Sequence, residues 1–306
     1  MYLYLPVALT SVNILVPGGL GLAVGLLSGL FGVGGGFLMT PLLIMLGIPS
    51  TVAAATDSNQ IVAASTSGTY AHWKIGNVDF KMGLYLLVGG FTGGLFGVQL
   101  IKVLKAMGNA DFVIKITYVL MLGIVGGYMF FESLSAMKKN KKEQADSNNK
   151  ESWLKRFLKT LPLQTYFEKS GVTHSVLVPI VFGGFVGVLA AVMGVGGGFL
   201  MVPVMVYVLR MPMHVVVGTS LFQILFNCIE VTFLQAYTNH TVDFILAVLL
   251  LVGSTIGAQV GTVFGRKLKG DQLKILLAGI VLMVTVKMIF DLTLSPSLLL
   301  AQAGGH

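Results

Sequence analysis

The residues best suited to bind a ligand are two copies of a glycine-rich pentapeptide. Gly-Val-Gly-Gly-Gly occupies positions 32–36 and again positions 194–198, each time inside a long apolar stretch. A helix broken in such a stretch leaves N–H groups free, and the next helix points the positive end of its dipole at the break. An anion fits there, and glycine lets it approach the bare backbone. We therefore predict anion contacts at Gly34, Gly35, Gly36, Gly196, Gly197 and Gly198. The alternative is that these glycines only make a tight hairpin.

Each pentapeptide is followed by a helix that carries polar side chains in apolar surroundings. Thr56 and Gln60 in the first helix recur as Thr219 and Gln223 in the second. Hydroxyl and amide groups can bind an oxyanion without a fixed charge, so the ion can leave again. The predicted binding residues on these helices are Thr56, Asn59, Gln60, Thr219, Ser220 and Gln223. For Asn59 and Asn227, hydrogen bonding between helices is an equally good interpretation.

Two carboxyl groups lie deep in apolar sequence, Asp57 and Glu230. A charge at the centre of a bilayer costs about 2.5–3.5 kcal/mol or more, so such residues usually serve a function. A carboxylate beside an anion site repels the substrate, which leaves proton or cation coupling as its plausible use. The alternative is a salt bridge.

The composition excludes a soluble enzyme. Of 306 residues, 55% are hydrophobic and only 10% are charged, and the mean hydropathy is +0.86. With the single cysteine Cys228 there is no disulfide or cysteine-based metal site within one chain, and no cofactor is expected. The net charge of +8 does not indicate nucleic-acid binding, because nine of the 20 cations lie in residues 138–170. No nucleophile–base pair is evident, so no enzymatic activity is expected.

The chain is an internal duplication. We divide it into a first transmembrane repeat (1–137), a basic linker (138–170) and a second transmembrane repeat (171–306). Each repeat has a broken apolar segment, the polar helix, a helix with glycine at every fourth position and a plain apolar helix. The four-residue glycine spacing predicts close packing, either within the subunit or across a homodimer. Asp79 and Asp243 precede the glycine helices and are interpreted as N-terminal caps.

The linker indicates the topology. Its lysines place it on the cytoplasmic side, and residues 151–161 have the spacing of a helix lying on the inner leaflet, with a disordered linker as the alternative. The cations after the second glycine helix favour the same side. An even number of crossings must then separate these two places, which predicts that the broken segment returns to its starting side and that the repeats are inverted.

The segment from Leu27 to Pro41, Leu-Ser-Gly-Leu-Phe-Gly-Val-Gly-Gly-Gly-Phe-Leu-Met-Thr-Pro, and its second copy resemble the TauE/SafE family of sulfite exporters. The resemblance covers the chain except the linker. It implies a plasma-membrane carrier for sulfite, sulfonates or thiosulfate. One departure is Asp57, where the family usually has a small or apolar residue and where the second repeat has Ser220.

Together these features predict an all-α, polytopic membrane protein in the plasma (inner) membrane, with two homologous, inverted repeats. The predicted function is secondary transport of a small sulfur-containing anion by alternating access. The alternatives are an anion channel, or a membrane scaffold that recruits a partner through the basic linker.

Overall fold

The computed structural model describes residues 2–31, 36–138, 162–265 and 270–294. The first repeat contains strands β1 (Tyr2–Leu5) and β2 (Thr10–Asn13), then helices α1 (Leu15–Phe31), α2 (Gly36–Met45), α3 (Ser50–Lys74), α4 (Phe80–Ala106) and α5 (Ala110–Lys138). The second contains strands β3 (Gln164–Phe167) and β4 (Val172–Ser175), then helices α6 (Leu177–Met193), α7 (Gly198–Pro203), α8 (Met213–Leu234), α9 (Phe244–Gly265) and α10 (Gly270–Leu294). Short π-helical turns, Val204–Val208 and Gln235–Asn239, follow α7 and α8.

The structure is that of an all-α membrane protein with little sheet. Among the described residues, four helical stretches are long and apolar enough to cross a membrane: Phe80–Ala106, Ala110–Tyr128, Met213–Asn239 and Phe244–Gly261. The helices of the broken segments, such as α1 and α7, are shorter. The basic stretch 139–161, including the proposed surface helix, lies outside the described residues.

Each repeat begins with a small antiparallel hairpin that the sequence analysis did not predict. Tyr2 pairs with Asn13 in the first hairpin, and Gln164 pairs with Ser175 in the second. The second hairpin lies across position 170, where we placed the end of the linker. The duplicated unit therefore includes the hairpin as well as the five helices.

The glycine helices pack against the other repeat. Helix α4 packs on α6, and α9 packs on α1. The glycine helix of each repeat thus packs on the first helix of the other repeat. A Cβ atom added to Gly93 would lie 2.0 Å from the carbonyl oxygen of Gly184, and one added to Gly257 would lie 2.1 Å from that of Leu22. The predicted packing role of these glycines is therefore confirmed, and the contacts lie within one chain.

Hydrogen bonds at the starts of the glycine helices also join each repeat to the other. Asp79 caps α4 by accepting from the N–H of Met82 (3.0 Å), and its other oxygen accepts from the N–H of Ser170 (3.2 Å). Asp243 caps α9 in the same way and accepts from the N–H of Val7 (3.1 Å). Both predicted caps are confirmed, and each one also ties its helix to the hairpin of the other repeat.

Candidate functional site

The second glycine pentapeptide breaks its helix as predicted. Helix α6 ends at Met193, and Gly194 takes a positive φ of 74°. Gly196 and Gly197 also have positive φ, 69° and 80°, which residues with a side chain rarely adopt. Helix α7 then begins at Gly198, and the carbonyl oxygen of Gly197 accepts from the N–H groups of Leu200 (3.2 Å) and Met201 (2.8 Å). The N–H groups of Gly198 and Phe199 come before these bonds and have no acceptor within the helix.

The first pentapeptide is described only at its end. Gly34 and Gly35 lie outside the described residues, while Gly36 is buried and begins α2. The two new helices start against each other, because the rings of Phe37 and Phe199 stack with centroids 4.7 Å apart. The residues that follow the two breaks, one in each repeat, are therefore in contact.

An apolar side chain separates the two breaks. A Cβ added to Gly36 would lie 2.3 Å from Cδ1 of Ile61, and one added to Gly196 would lie 3.4 Å from Cγ2 of the same residue. Gly196 also faces Ile224 and Cys228. Gly36 therefore brings bare backbone next to helix α3, and Gly196 brings it next to both α3 and α8.

The two predicted threonines lie in the joint between repeats. The hydroxyl of Thr56 accepts a hydrogen bond from the N–H of Asp243 (3.1 Å), and that of Thr219 accepts from the N–H of Asp79 (3.0 Å). Both side chains are fully buried. Their acceptor atoms hold the starts of α9 and α4, and this reciprocal pair joins the two halves of the protein.

The two predicted glutamines lie one turn further along and differ from each other. Gln60 donates from Nε2 to the hydroxyl of Ser254 (2.6 Å), and its Oε1 has no partner within the described chain. Gln223 is fully buried, and neither of its amide atoms has a partner there. Of the remaining predicted residues, Asn59 is partly buried, while Ser220 is buried and its hydroxyl bonds the carbonyl of Val217 in its own helix (3.1 Å).

Asp57 is completely buried at the first break. Its Oδ2 accepts a hydrogen bond from the hydroxyl of Thr40 (2.8 Å), and its Oδ1 has no partner among the described residues. Tyr118 lies close enough to interact with both side chains, and its phenol donates to the carbonyl oxygen of Met193. A residue close to Asp57 thus bonds the end of α6 in the other repeat.

Thr40 and Tyr118 are not among the residues predicted from the sequence to form the site. For Thr40 a signal existed, since Val202 replaces it in the second repeat just as Ser220 replaces Asp57. Tyr118 lies on an apolar helix whose spacing reveals nothing about the groups that it meets.

Glu230 lies away from Asp57, on the side of α8 that faces α4. Its Oε2 would be 2.8 Å from a Cβ added to Gly94, and this oxygen is buried without a partner in the described structure. One turn earlier, Asn227 lies against Gly90 with both amide atoms buried and without a partner. The structure therefore separates the two predicted coupling carboxyls into different surroundings.

Buried polar atoms without partners are costly, about 1–3 kcal/mol each in proteins, and they indicate a ligand or water site. In the described residues they concentrate on α3 and α8, at Asp57, Gln60, Gln223, Asn227 and Glu230. No group of three or more His, Cys, Asp or Glu side chains in the described ranges could hold a metal ion. The groups at this place are amides, hydroxyls and the first N–H groups of α7, which can bind oxyanions, and the carboxyls of Asp57 and Glu230.

Comparison with known proteins also indicates a membrane transporter. The family model "Sulfite exporter TauE/SafE" matches residues 18–288. The "Probable membrane transporter protein YunE" of Bacillus subtilis is 25% identical over 284 residues, covering 89% of this chain and 96% of its own length. The "Probable membrane transporter protein YjnA" of the same organism is 28% identical over 282 residues, covering 91% of this chain and all of its own length.

A plant relative matches a shorter segment. The "Sulfite exporter TauE/SafE family protein 2" of Arabidopsis thaliana is 33% identical over 106 residues, which is 34% of this chain and 23% of the relative. No solved structure matches the chain at a comparable significance. The family match spans most of the chain and includes both glycine breaks and both polar helices, so the chain belongs to the sulfite exporter TauE/SafE family of membrane proteins.

Proposed function

We propose that the protein is a secondary transporter that moves a small sulfur-containing anion, such as sulfite, a sulfonate or thiosulfate, across the plasma membrane. The substrate class follows from the family and from the groups at the site. Oxyanions accept hydrogen bonds, and the site offers the Gln223 amide and the N–H groups of Gly198 and Phe199 at the start of α7. Neither group carries a fixed charge, so binding can be reversible.

One observation supports this proposal more than any other: the two glycine breaks and the two polar helices meet in one place. Phe37 and Phe199 stack at the starts of α2 and α7, and Ile61 touches both Gly36 and Gly196. A substrate held there would contact both halves of the protein. In alternating access, such a position lets the relative movement of two halves change the side from which the site opens.

The exchange of equivalent helices supports a two-fold relation between the repeats. The glycine helix of each repeat packs on the first helix of the other repeat: α4 packs on α6, and α9 packs on α1. The same contact is therefore made twice with the roles of the repeats reversed, as in an isologous interface. We propose that the repeats, 1–137 and 171–306 with the second one extended to its hairpin from Gln164, are inverted in the membrane and joined by a cytoplasmic linker. The positive charge of that linker supports its location on the cytoplasmic side of the membrane.

Asp57 and Glu230 are proposed to couple transport to a proton or another cation. Asp57 is the carboxyl next to the break, and Thr40 donates to only one of its oxygens. A fully buried carboxylate is unfavourable, so a change in the charge of Asp57 would alter the hydrogen bond that it accepts from Thr40. Replacing Asp57 with Asn should therefore change the pH dependence of transport.

Two measurements test the function. Thermal melting of the purified protein with sulfite, thiosulfate, sulfonates, sulfate and carboxylates should show stabilisation by at least one of the sulfur anions other than sulfate. Flux of that anion into proteoliposomes should saturate and should accelerate when the same anion is loaded on the opposite side. Stabilisation by none of the sulfur anions would contradict the substrate class, and flux without such exchange would favour a channel.

A further inference from the structure

Beyond Gln223, helix α8 carries two more polar side chains toward α4. Asn227 is 1% exposed, and neither its Oδ1 nor its Nδ2 has a partner in the described part of the chain. Glu230 follows three residues later, so the two side chains lie on the same face of the helix. One of its oxygens, Oε2, is buried without a partner, while the residue as a whole is partly exposed.

Helix α4 faces Asn227 and Glu230 with two glycines, Gly90 and Gly94, so that it presents only backbone atoms to them. A Cβ atom added to Gly90 would lie 2.4 Å from Oδ1 of Asn227, and one added to Gly94 would lie 2.8 Å from Oε2 of Glu230. Any side chain on α4 at these two positions would collide with the polar groups. The absence of side chains at Gly90 and Gly94 therefore lets the polar ends of Asn227 and Glu230 lie directly against the backbone of α4, buried and without a partner in the described residues.

The chemistry of these atoms fits a cation better than an anion. An amide oxygen and a carboxylate oxygen are hard ligands, which alkali and alkaline-earth cations prefer. The carboxylate repels anions, and its single negative charge balances one monovalent cation. The partial exposure of Glu230 gives an ion a way in, while Asn227 lies deeper.

The first repeat lacks this pair. The position equivalent to Asn227 is Ala64, and the position equivalent to Glu230 is Ser67, by the same spacing that relates Thr56 to Thr219. Such a site would exist once in the chain, on the second repeat only. A single coupling site beside a substrate site is a simple way to link one cation to one anion.

We propose that Asn227 and Glu230, lying against Gly90 and Gly94, bind a monovalent alkali cation. Its role as the coupling ion rests on the proposed transport function, whereas its binding does not. The cation would connect α8 and α4, which belong to different repeats, so that occupancy would stabilise their contact.

The test uses the purified full-length protein with Na⁺ as the probe. Melting is followed at constant pH and ionic strength in NaCl, KCl and choline chloride, without any sulfur anion. Na⁺ or K⁺ should raise the melting temperature by a few degrees above choline. Asn227→Ala, Glu230→Gln and Gly94→Ala should each remove most of that difference. Gly127→Ala is the control, because a Cβ added to Gly127 meets nothing within 4 Å.

Two results would overturn the proposal. One is equal melting of the unmodified protein in all three salts, including the case in which only pH changes its stability. The other is an alkali-ion effect that survives both Asn227→Ala and Glu230→Gln. Failure of the transport proposal looks different, since the protein would then respond to Na⁺ or K⁺ while no sulfur anion stabilises it.

Discussion

Helices α3 and α8 hold equivalent places in the two repeats, yet their polar side chains have different surroundings. On α3, Asp57 accepts from Thr40 and Gln60 donates to Ser254. On α8, Gln223 and Asn227 have no partner for either amide atom in the described structure. At the start of each helix, in contrast, the bonds of Thr56 and Thr219 are the same.

This comparison distinguishes the residues that join the two repeats from the polar residues that we propose for transport. Positions that join the repeats are kept alike in both, because the exchange of helices requires the same contacts twice. Other polar positions differ between the repeats in matched sets: Thr40 and Asp57 correspond to Val202 and Ser220, and Ser254 corresponds to Gly90. A symmetric framework thus carries an asymmetric set of polar groups.

The largest expected effect tests the symmetric part. Gly93→Ala and Gly257→Ala each place a methyl group about 2 Å from a backbone carbonyl of the other repeat. Neither helix can shift without losing its packing, so each change should destabilise the fold by more than about 3 kcal/mol, the upper range for overpacked cores. Loss of monodisperse protein and a lower melting temperature in detergent would measure this.

The matched control is again Gly127→Ala, which should leave stability unchanged or raise it by up to ~1 kcal/mol, since alanine favours helix. If only one of the two glycine variants were destabilised, the reciprocal packing of the repeats would be wrong.

The second prediction concerns the pair that exists only in the first repeat. Thr40→Val removes the hydroxyl that donates to Asp57, so the buried carboxyl group loses this partner, at a cost of about 1–3 kcal/mol. Adding Asp57→Ser recreates the Val and Ser combination of the second repeat and should recover most of the loss. A double-mutant cycle on melting free energies measures this coupling.

In the double variant, the stability should recover while the pH dependence of transport should not. The double variant should fold well but lose its original pH dependence, because the carboxyl is gone. Additive losses of stability would show that the Thr40–Asp57 contact contributes nothing of its own.

Much of the symmetric framework could be predicted from the sequence, because it depends on local patterns. The four-residue glycine spacing, the caps Asp79 and Asp243 and the break at 194–198 each follow from a few neighbouring residues. The hairpins could not be predicted in this way, since strands of four residues carry too little pattern.

The asymmetric groups were harder to interpret for a different reason. Whether an amide has a partner depends on a distant helix: Gln60 meets Ser254, whereas Asn227 lies against Gly90. The sequence shows Gln60 and Gln223 as equivalents and cannot indicate that only one of them has a donor contact. The role of Tyr118 likewise depends on where α5 meets the other repeat.

The third prediction asks whether the two breaks form one anion site. Cys228, the single cysteine, is fully buried against Gly196, and Ser65 is its buried equivalent in the first repeat. A reporter in either place, Cys228 itself or Ser65→Cys combined with Cys228→Ser, should react slowly with a thiol reagent. A bound sulfonate should slow both reactions several-fold, because it reduces the opening that exposes them.

A sulfonate is the right probe here because sulfite and thiosulfate attack thiol reagents themselves. Protection of Cys228 alone would place the anion site in the second repeat, and protection of neither residue would contradict a site between the breaks.

The smallest expected effect comes from the hydrogen bond that distinguishes the two glutamines. Ser254→Ala leaves a side chain that fits the same space but removes the acceptor 2.6 Å from Nε2 of Gln60. A lost buried hydrogen bond costs about 0.5–1.5 kcal/mol, and the amide left behind keeps this at the upper end. Thr255→Ala is the control, because its exposed hydroxyl bonds only the carbonyl of Leu251 in its own helix, and it should change stability by less than about 0.5 kcal/mol. If Ser254→Ala matched that control, Gln60 would be as free as Gln223, and the asymmetry between α3 and α8 would reduce to Thr40 and Asp57 alone.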